Sequence, residues 1–398
     1  MKVLIFGWEL PPENSGGLGV ACFNLTKALS EKAERVVFVL PKKTGVCKDN
    51  FDIIFANVKV EVKKVKSLLS AYLTQDRYFK LLSNIEESDF YGNTLFEEVA
   101  RYGKEARLIA EREDFDVIHA HDWLSFLAGI EAKKVSKKPL IVHVHATEFD
   151  RSGGSNVNPL VYKIEKQGME QADKIIAVSE LTKNTLIDNY GILPEKIEVV
   201  YNAHEDKIIT KYEDVKDSLD KRPIVAFLGR ITIQKGPDYF LAAAKKCLDY
   251  DPNILFVMAG SGDMQTQIIQ EASELGIADK FLFAGFLRGE EKDKLYQSAD
   301  LYVLPSISEP FGITVLESIQ NGTPVLLSRQ AGVGESLTHC LKADFWDIDD
   351  MANKILSVVK HKELKDCLSE NGQRDLRKFS WKKSAQKCVD IYSKVLKK

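Results

Sequence analysis

Residues 306–322 read SISEPFGITVLESIQNG and follow an apolar run at Leu301–Pro305. The run is typical of a buried parallel strand, and Pro310 and Gly312 predict a tight turn after it. Apolar residues at helical spacing then predict a helix from Phe311 to Gln320. A strand, a turn and a helix in this order form the repeating unit of an open α/β sheet.

Two glutamates lie in this stretch, Glu309 in the turn and Glu317 inside the helix. The start of a helix presents backbone N–H groups that can bind phosphate or sugar oxygens. Carboxylates accept hydrogen bonds from sugar hydroxyls. Taken alone, each glutamate is also explained as a helix cap or a solvated charge, so its interpretation depends on the rest of the chain.

Length and composition predict a globular protein of two or three domains. The chain has 398 residues, 44% of them hydrophobic and 28% charged, with a net charge of −3. This charge gives no support for a nucleic-acid partner. The six cysteines contain no Cys-x-x-Cys pair and are typical of reduced thiols in a cytoplasmic protein. We see no signal peptide and expect no transmembrane segment.

A second strand–helix pattern begins at Ile224. The predicted strand 224–230 ends in Arg230, and Lys235-Gly236 precedes a helix that starts at Pro237. Because the carboxyl ends of parallel strands meet at one edge of a sheet, we expect these two cations near the two glutamates. Arginine and lysine suit a diphosphate leaving group, although each alone is also explained as a solvated loop charge.

The first strand of the chain, Val3–Gly7, is followed by a glycine-rich loop. Gly16, Gly17 and Gly19 do not have the spacing of the dinucleotide-binding fingerprint. They nevertheless suit a close approach of the backbone to an anion at the start of the helix 20–32. An ordinary flexible turn is the alternative interpretation.

Four of the seven histidines end two predicted neighbouring strands, as His119 and His121 in strand 116–122 and His143 and His145 in strand 140–147. Alternation along a strand places each pair on one face. We weigh three explanations: buried structural histidines, a metal site of the amidohydrolase type, and a polar site for a sugar or leaving group. For the metal site, the sequence contains no later His or Cys cluster that would complete the set of ligands.

The remaining pattern alternates strands and helices in two arrays. Strands are predicted at 36–41 and 53–62, and a polar, aromatic insertion at 66–93 is of a length typical of a lid or a partner surface. The charged stretch 205–221 is the best linker candidate. We predict an α/β fold with an N-terminal domain at 1–203, a C-terminal domain at 204–380 and a final helix at 381–398.

Taken together, the motifs resemble the retaining GT-B glycosyltransferases, the group of sucrose synthases, mannosyltransferases, and glycogen and starch synthases. The similarity covers nearly the whole chain and rests on Glu309-x7-Glu317, Gly229-Arg230 with Lys235-Gly236, Gly16-Gly17-Leu18-Gly19 and His119-Ala-His121-Asp122. The stretches 8–12 and 143–151 resemble a microbial branch often labelled glycogen synthase. Asn14-Ser15 stands where starch and bacterial glycogen synthases usually carry a lysine, which departs from their ADP-glucose pattern.

This resemblance implies two facing Rossmann-like domains with a cleft between them and a C-terminal helix that packs back on the first domain. It places the donor mainly on the second domain and the acceptor mainly on the first. Arg230 and Lys235 would hold the diphosphate, Glu309 the donor sugar and Glu317 the ribose. The other expected donor-site residues are Gly16, Gly17, Gly19, His145, Phe311, Gly312, Ile313 and Thr314. His121 would be the histidine beside the sugar, and with Arg230, Lys235 and Glu309 it completes the expected catalytic set.

The expected function is transfer of a hexosyl unit with retention, from a nucleotide-sugar donor to a glycan acceptor. Glucose from ADP- or UDP-glucose onto an α-1,4-glucan is the first expectation. The nearest alternative uses another sugar and a lipid or small-molecule acceptor. A nucleotide-sugar epimerase, a metal-dependent hydrolase and a non-catalytic glycan-binding module are the other classes. We expect no cofactor and no metal, because the cations and the helix start can stabilise the leaving diphosphate.

Overall fold

A computed structural model describes residues 1–8, 17–42, 51–55, 58–66, 74–82, 94–205, 209–212 and 222–397. The chain divides into two units. The first contains residues 1–148, 157–202 and 381–398, and the second contains residues 149–156 and 203–380. Each unit is built around one twisted sheet with helices packed on it, so the predicted α/β fold with two Rossmann-like domains is confirmed.

The first unit holds an eight-stranded sheet in the order β3-β4-β2-β1-β5-β6-β7-β8. The strands span Lys2–Phe6, Arg35–Lys42, Phe51–Phe55, Val58–Lys66, Val117–His121, Leu140–Val144, Lys174–Ala177 and Ile197–Val199, numbered β1 to β8 in chain order. All neighbouring pairs are parallel except β3 with β4. The central strands are buried on both faces, as their continuous apolar sequences predict.

The helices of the first unit follow the strands in the usual alternating order. They span Gly17–Ser30, Gln75–Leu82, Leu95–Arg112, Trp123–Ser136, Glu148–Arg151, Pro159–Gln171 and Glu180–Tyr190, which are α1 to α7 in chain order. Thr94, Asn158 and Ser179 cap three of them with side-chain oxygens. Such caps satisfy N–H groups that have no partner within the helix. Of the short helix α5, only Glu148 belongs to the first unit, and residues 149–151 belong to the second.

The C-terminal helix Trp381–Leu396 belongs to the first unit although it follows the whole second unit in sequence. It packs on α1. Ser384 Oγ donates to the carbonyl oxygen of Tyr201 at 2.6 Å, and the Lys32 ammonium reaches Gln386 Oε1 at 2.9 Å. The apolar stripe of this helix is buried, with Ala385 and Cys388 at its centre. Burial of that stripe holds the end of the chain on the first unit.

Two predictions for the first unit differ from the structure. The single strand expected at 53–62 is a hairpin, because β3 and β4 pair antiparallel from Phe51 with Val62 to Phe55 with Val58. Within the expected insertion 66–93, residues 75–82 form α2, and Tyr78 on it is fully buried. A side chain buried in the core contributes to packing, so this part is an element of the fold; residues 67–73 and 83–93 lie outside the described part.

The second unit holds a six-stranded parallel sheet in the order β11-β10-β9-β12-β13-β14. Its strands β9 to β14 span Ile224–Leu228, Leu255–Ala259, Phe281–Gly285, Leu301–Leu304, Val325–Ser328 and Leu341–Ala343. Its helices α8 to α13 span Pro237–Tyr250, Gln265–Glu274, Glu290–Ser298, Ile313–Gln320, Ile348–Lys360 and Lys362–Asp375, and the C-terminal helix is α14. Phe227, Phe240, Phe256 and Phe281 pack ring to ring in its core.

The unit boundaries differ from the predicted domain boundaries at residues 149–156, which the sequence pattern assigns to the first domain. In the structure this segment belongs to the second unit. The side chain of Ser308 donates to Asp150 Oδ1 at 2.5 Å, and a Cβ on Gly153 would lie within 4.0 Å of Ile233 and Ile307. These contacts join the segment to residues far along the chain, which no sequence pattern reports. Ala203 also falls in the second unit.

No helix in the described ranges is long and apolar enough to cross a membrane.

Candidate active site

The carboxyl ends of the strands in the second unit carry the cations and carboxylates that the sequence singled out. Three loops after β9, β10 and β11 are joined by backbone bonds, from Gly229 to Ala259, from Ile231 to Ser261 and from Gly260 to Gly285. Gly260 has a φ of 138°, and a Cβ there would lie 1.8 Å from the carbonyl oxygen of Gly229. Only glycine permits this approach, which fixes the loop that carries Arg230.

Lys235 ends a short 3-10 turn and stands directly before Gly236, which has a φ of 63°. A Cβ on Gly236 would lie 2.3 Å from the carbonyl oxygen of Pro305, the residue that follows β12. The glycine therefore allows the turn after β9 to lie against the end of β12. This brings Lys235 to the loop that carries Glu309.

Lys235 and Glu309 form an ion pair through Nζ and Oε2. Both side chains are mostly buried, with 16% and 9% of their surfaces exposed. Ser306 Oγ also lies 3.4 Å from the same carboxylate oxygen. The predicted phosphate ligand and the predicted sugar ligand are therefore neighbours, and each neutralises the other in a partly dehydrated setting.

Arg230 lies in the loop after β9, in the same connection as Lys235. Its guanidinium donates to Gln234 Oε1 at 2.7 Å, and Gln234 itself is buried. The backbone N–H of Ile307 donates to the Gln234 carbonyl at 3.0 Å. Gln234 thus connects the arginine to the loop 305–309, and it is a residue that sequence reasoning missed.

The loop from Glu309 to Gly312 is held by backbone hydrogen bonds to residues 330–333. Glu309 donates to the Gln330 carbonyl at 2.9 Å, and Val333 donates to the Phe311 carbonyl at 2.8 Å. Gly312 has a φ of 106°, so it takes a conformation that side chains disfavour at the N-terminus of α11. Phe311 is buried and packs edge-on against Phe379. The predicted helix start at Phe311 is therefore two residues early.

Ile313 and Thr314 form the first turn of α11. Their N–H groups have no carbonyl four residues back within the helix, which is the feature that favours an anion there. The Tyr302 hydroxyl donates to the Leu228 carbonyl at 3.0 Å and hydrogen-bonds the Thr314 hydroxyl at 2.9 Å. Burial raises the pKa of Tyr302, so its hydroxyl keeps its proton and remains a donor at neutral pH.

Glu317 lies farther along α11 and is held by residues of α10. Lys292 Nζ is 2.7 Å from Glu317 Oε1, and the Tyr296 hydroxyl is 3.4 Å from Oε2. Burial raises the pKa of Tyr296 well above 10, and the nearby Glu317 carboxylate raises it further. Sequence reasoning missed both partners, although their i,i+4 spacing was a usable signal.

The four histidines lie together at the ends of β5 and β6 in the first unit. His121 is the register partner of His143 across the two strands. The ring centroids of His119 and His121 are 4.4 Å apart, and those of His143 and His145 are 4.2 Å apart. The prediction that these side chains share one place is therefore confirmed.

Hydrogen bonds link the histidines in two pairs. His119 Nδ1 lies 2.6 Å from the Tyr392 hydroxyl of α14, and its Nε2 lies 3.3 Å from His143 Nδ1. His121 Nδ1 lies 2.9 Å from His145 Nε2. The second nitrogens of His121, His143 and His145 are buried without a hydrogen-bond partner among the described residues. Unpartnered buried nitrogens are uncommon and mark a place where a ligand can bind.

Burial keeps the whole cluster neutral. It lowers the pKa of His121 to about 3 and the pKa of His119, His143 and His145 well below the usual 6.5, with neighbouring histidines adding to the effect at the latter three. His145 is 9% exposed and His121 only 1%. Of the two histidines predicted to lie beside the sugar, His121 and His145, His145 is therefore the more accessible to a ligand.

Asp122, directly after His121, has a strained backbone with a φ of 55° and a ψ of 173°. This conformation is uncommon for residues other than glycine and costs about 1–3 kcal/mol. The buried Asp122 carboxylate accepts hydrogen bonds from two backbone amides, that of His145 at 2.7 Å and that of Ala146 at 3.4 Å. It therefore joins the ends of β5 and β6 and orients His145, a role that sequence reasoning did not assign.

Two groups in this cluster have the geometry to hold a metal ion. Cys22, His121 and His145 place one donor atom each within 4.8 Å of one another, and so do His119, His121 and His143. Neutral imidazole and cysteine sulfur are ligands that zinc prefers. The His-x-His interpretation therefore gains a cysteine on α1 that the sequence pattern did not connect to it.

Gly17 and Gly19 open helix α1 of the first unit. A Cβ on Gly17 would contact nothing within 4 Å. The packing of the described residues therefore does not require a glycine at this position. Gly16 lies outside the described residues.

Two family models match the chain, one in its N-terminal half and one in its C-terminal half. The model described as Glycosyltransferase Family 4 matches residues 15–206, and the model described as Glycosyl transferases group 1 matches residues 209–375. The two matches follow one another with two residues between them. They correspond in sequence to most of the first sheet and to all strands of the second.

Relatives of similar sequence include proteins named as glycosyltransferases. A glycosyltransferase of Methanocaldococcus jannaschii is 28% identical over 98% of both chains. A D-inositol 3-phosphate glycosyltransferase of Salinispora tropica is 28% identical over 71% of this chain and 64% of its own. A mannosylfructose-phosphate synthase of Agrobacterium fabrum is 25% identical over 70% of this chain and 68% of its own.

Solved structures share the fold over the full length. A sucrose-phosphate synthase from Thermosynechococcus elongatus has a TM-score of 0.81 with 18% identity, and it covers 99% of this chain and 98% of its own. HepE of Anabaena in complex with UDP-glucose has a TM-score of 0.74 with 18% identity over 99% and 100%. The fold is therefore GT-B, and the two halves of the chain match glycosyltransferase family models.

Proposed function

We propose that this glycosyltransferase moves a hexosyl unit from a nucleoside-diphosphate sugar to an acceptor hydroxyl with retention of anomeric configuration. The observation that carries the proposal is the Lys235–Glu309 pair at the carboxyl edge of the second sheet, with Arg230 in the same loop as Lys235. Two cations and a carboxylate at the start of α11 suit a donor that has a diphosphate at one end and sugar hydroxyls at the other. The UDP and UDP-glucose in the HepE structures support a donor of this class.

In this mechanism Arg230 and Lys235 bind the diphosphate and stabilise the charge that it gains. The bond between the anomeric carbon and the phosphate oxygen breaks, and the acceptor oxygen forms its bond on the same face of the sugar. The acceptor proton passes to the leaving phosphate oxygen. No protein base is required for this step, and the first turn of α11 supplies further N–H groups to the phosphate.

The carboxylates and the histidines contribute binding. Glu309 accepts hydrogen bonds from donor-sugar hydroxyls, and Glu317 accepts them from the ribose. The backbone of Phe311–Thr314 binds sugar and phosphate oxygens. Gly17 and Gly19, which begin α1, bind a phosphate oxygen through their backbone. His121 and His145 are neutral, so either can donate or accept a hydrogen bond at a sugar hydroxyl without carrying charge.

For the acceptor, an α-1,4-glucan bound mainly by the first unit is the first candidate, with glucose from ADP- or UDP-glucose. Its support is the sequence resemblance of residues 8–12 and 143–151 to the glycogen synthase branch. A small phosphorylated sugar or polyol is the second candidate. Its support is the names of the relatives, which include D-inositol 3-phosphate glycosyltransferases and a mannosylfructose-phosphate synthase.

The test is a donor and acceptor screen on the purified full chain. ADP-, UDP- and GDP-sugars are each combined with maltooligosaccharides, hexose phosphates, inositol phosphates and a lipid acceptor, and release of the nucleoside diphosphate is measured. NMR of the product reports the anomeric configuration. Product that retains the donor configuration supports the proposal, and inverted product contradicts it.

The same screen separates the rival classes. Sugar interconversion in the absence of an acceptor would identify an epimerase. Release of free sugar that requires a metal would identify a hydrolase. Ligand binding without turnover of any donor would identify a glycan-binding module. Maltooligosaccharide extension selects the glucan, and transfer to a phosphorylated monomer selects the second candidate.

A further inference from the structure

Glu317 accepts hydrogen bonds from two side chains of one helix. Lys292 and Tyr296 are four residues apart on α10, so they project from the same face. Lys292 contacts one carboxylate oxygen at 2.7 Å and Tyr296 faces the other at 3.4 Å. The Lys292 and Glu317 side chains are only 23% and 18% exposed, so the pair is partly dehydrated.

The face of α10 that carries these residues is firmly held. Tyr296 is fully buried, and its ring packs edge-on against Tyr302 with centroids 5.5 Å apart. The Thr323 hydroxyl, just after α11, donates to the Tyr296 carbonyl. Asn321 Nδ2 reaches Asp293 Oδ1 at 3.2 Å, and Gln297 Nε2 reaches Asn321 Oδ1 at 3.0 Å. Several polar contacts therefore set the position of α10 against α11.

This arrangement leaves each oxygen of Glu317 able to accept one more hydrogen bond, because a carboxylate oxygen has two lone pairs. Two such acceptors side by side match the vicinal 2′ and 3′ hydroxyls of a ribose. We infer that Lys292 and Tyr296 are positioning residues, which hold the Glu317 carboxylate in the orientation that distinguishes a ribonucleoside diphosphate from its deoxy analogue. The inference rests on the proposed function, in which Glu317 faces the ribose.

The two partners contribute differently. Lys292 is a charged donor and its contact is the shorter, so it contributes more to holding the carboxylate. Tyr296 keeps its proton at neutral pH because burial and the Glu317 charge raise its pKa, so it donates throughout the working range. Lys294 on the same helix is a matched comparison: it is 45% exposed, lies 3.8 Å from Glu290 and stands over the Tyr212 ring.

The experiment measures dissociation constants by calorimetry for three probes on the full chain. They are the best-bound of UDP, ADP and GDP, its 2′-deoxy analogue and inorganic pyrophosphate. The variants are Lys292→Met, Tyr296→Phe, Glu317→Gln and the control Lys294→Met. For the wild type we expect the ribose form to bind on the order of tenfold more tightly than the deoxy form, as for one hydrogen bond to a charged group.

For Lys292→Met we expect the preference for the ribose nucleotide, the ratio of its affinity to that of the deoxy nucleotide, to fall to about threefold or less. The affinity for pyrophosphate should not change. The reason is that a carboxylate that loses one of its donors is held less firmly in its orientation. Tyr296→Phe should give a smaller fall, and Lys294→Met none. A structural defect alone would weaken all three probes together and leave the ratio intact.

The possible outcomes distinguish a failure of this inference from a failure of the proposed function. If Glu317→Gln loses the ratio while Lys292→Met and Tyr296→Phe keep it, Glu317 reads the ribose without its partners and the inference is wrong. If Glu317→Gln also keeps the ratio, the ribose assignment itself fails. If no probe binds the wild type, the nucleotide-sugar function fails.

Discussion

Lys235 and Glu309 neutralise one another at the edge of the second sheet, although the sequence suggested separate ligands for each. A diphosphate that binds Lys235 therefore competes with the Glu309 carboxylate for the same ammonium. The pair holds the lysine in place before the donor arrives. Substitution of Glu309 should therefore strengthen nucleotide binding, and substitution of Lys235 should weaken it. Both substitutions should lower turnover.

Glu309→Gln tests this relationship. Removing the carboxylate charge leaves Lys235 without its partner in a partly buried site, so an anionic ligand gains from filling that place. We expect nucleoside diphosphate to bind at least about threefold more tightly, since even a modest gain of about 0.7 kcal/mol has that effect. We expect kcat/KM to fall about tenfold or more, because the sugar loses a hydrogen bond in the transition state.

Lys235→Met is the matched variant for that experiment. It should weaken both nucleotide affinity and kcat, by about a hundredfold in kcat if the ammonium stabilises the leaving group. Weaker nucleotide binding in Glu309→Gln would contradict the competition. Calorimetry with the nucleotide and initial rates with the full donor give the two readings.

Gly17→Ala separates ligand approach from folding. Gly17 begins α1, and an added Cβ there meets no atom within 4 Å. The substitution should leave the free energy of unfolding unchanged or raise it by up to about 1 kcal/mol, because alanine favours the helix. If the backbone at this point approaches the donor phosphate, KM for the nucleotide sugar should rise several-fold.

The control for Gly17→Ala is Gly276→Ala, where a Cβ also meets nothing but the φ of 67° disfavours a side chain. That variant should lose stability and keep KM for the donor. A Gly17→Ala enzyme with wild-type kinetics would remove this glycine from the donor site. Differential scanning fluorimetry and donor titrations are sufficient to tell these results apart.

The histidine cluster predicts that the first unit loses stability in mild acid. The pKa of His121 is lowered to about 3 and the pKa of His119, His143 and His145 lies well below 6.5 in the folded state, because they are buried. In the unfolded chain each titrates near 6.5. The unfolded state then binds more protons below that pH, so stability is complete above about pH 6.5 and falls as the pH decreases.

The expected slope is about 1.4 kcal/mol per pH unit for each histidine that stays neutral in the folded state. Urea unfolding between pH 7.5 and pH 5 measures it. His143→Gln removes one titrating group, so the slope should decrease by about 1.4 kcal/mol per pH unit, whatever the substitution does to the stability at pH 7.5.

Metal content is the last prediction. We expect purified protein to contain no stoichiometric zinc and to keep its initial rate in EDTA, since Arg230, Lys235 and the start of α11 provide the positive charge for the leaving group. Elemental analysis after expression with added zinc, nickel or cobalt checks this. About one metal per chain that is lost in Cys22→Ala would instead assign the Cys22–His121–His145 group to metal binding.

The sequence by itself determined the elements and the class of the fold. Continuous apolar runs predicted the strands β9 and β12 of the second sheet, because strands buried on both faces exclude polar residues. The final helix, predicted at 381–398, spans Trp381–Leu396, and its apolar stripe repeats at the helical period. Glycine and proline at the ends of strands located the loops that carry Arg230, Lys235 and Glu309.

Only the tertiary structure decided which side chains meet. Tyr392 and His119 are 273 residues apart, and Lys292 reaches Glu317 across two helices. Residues 149–156 join the second unit through Asp150 and Ser308, and β3 with β4 form a hairpin instead of one strand. The period of the apolar residues indicates which face of an element is buried. The contacts between these residues depend on how separate elements pack, which the local sequence does not determine.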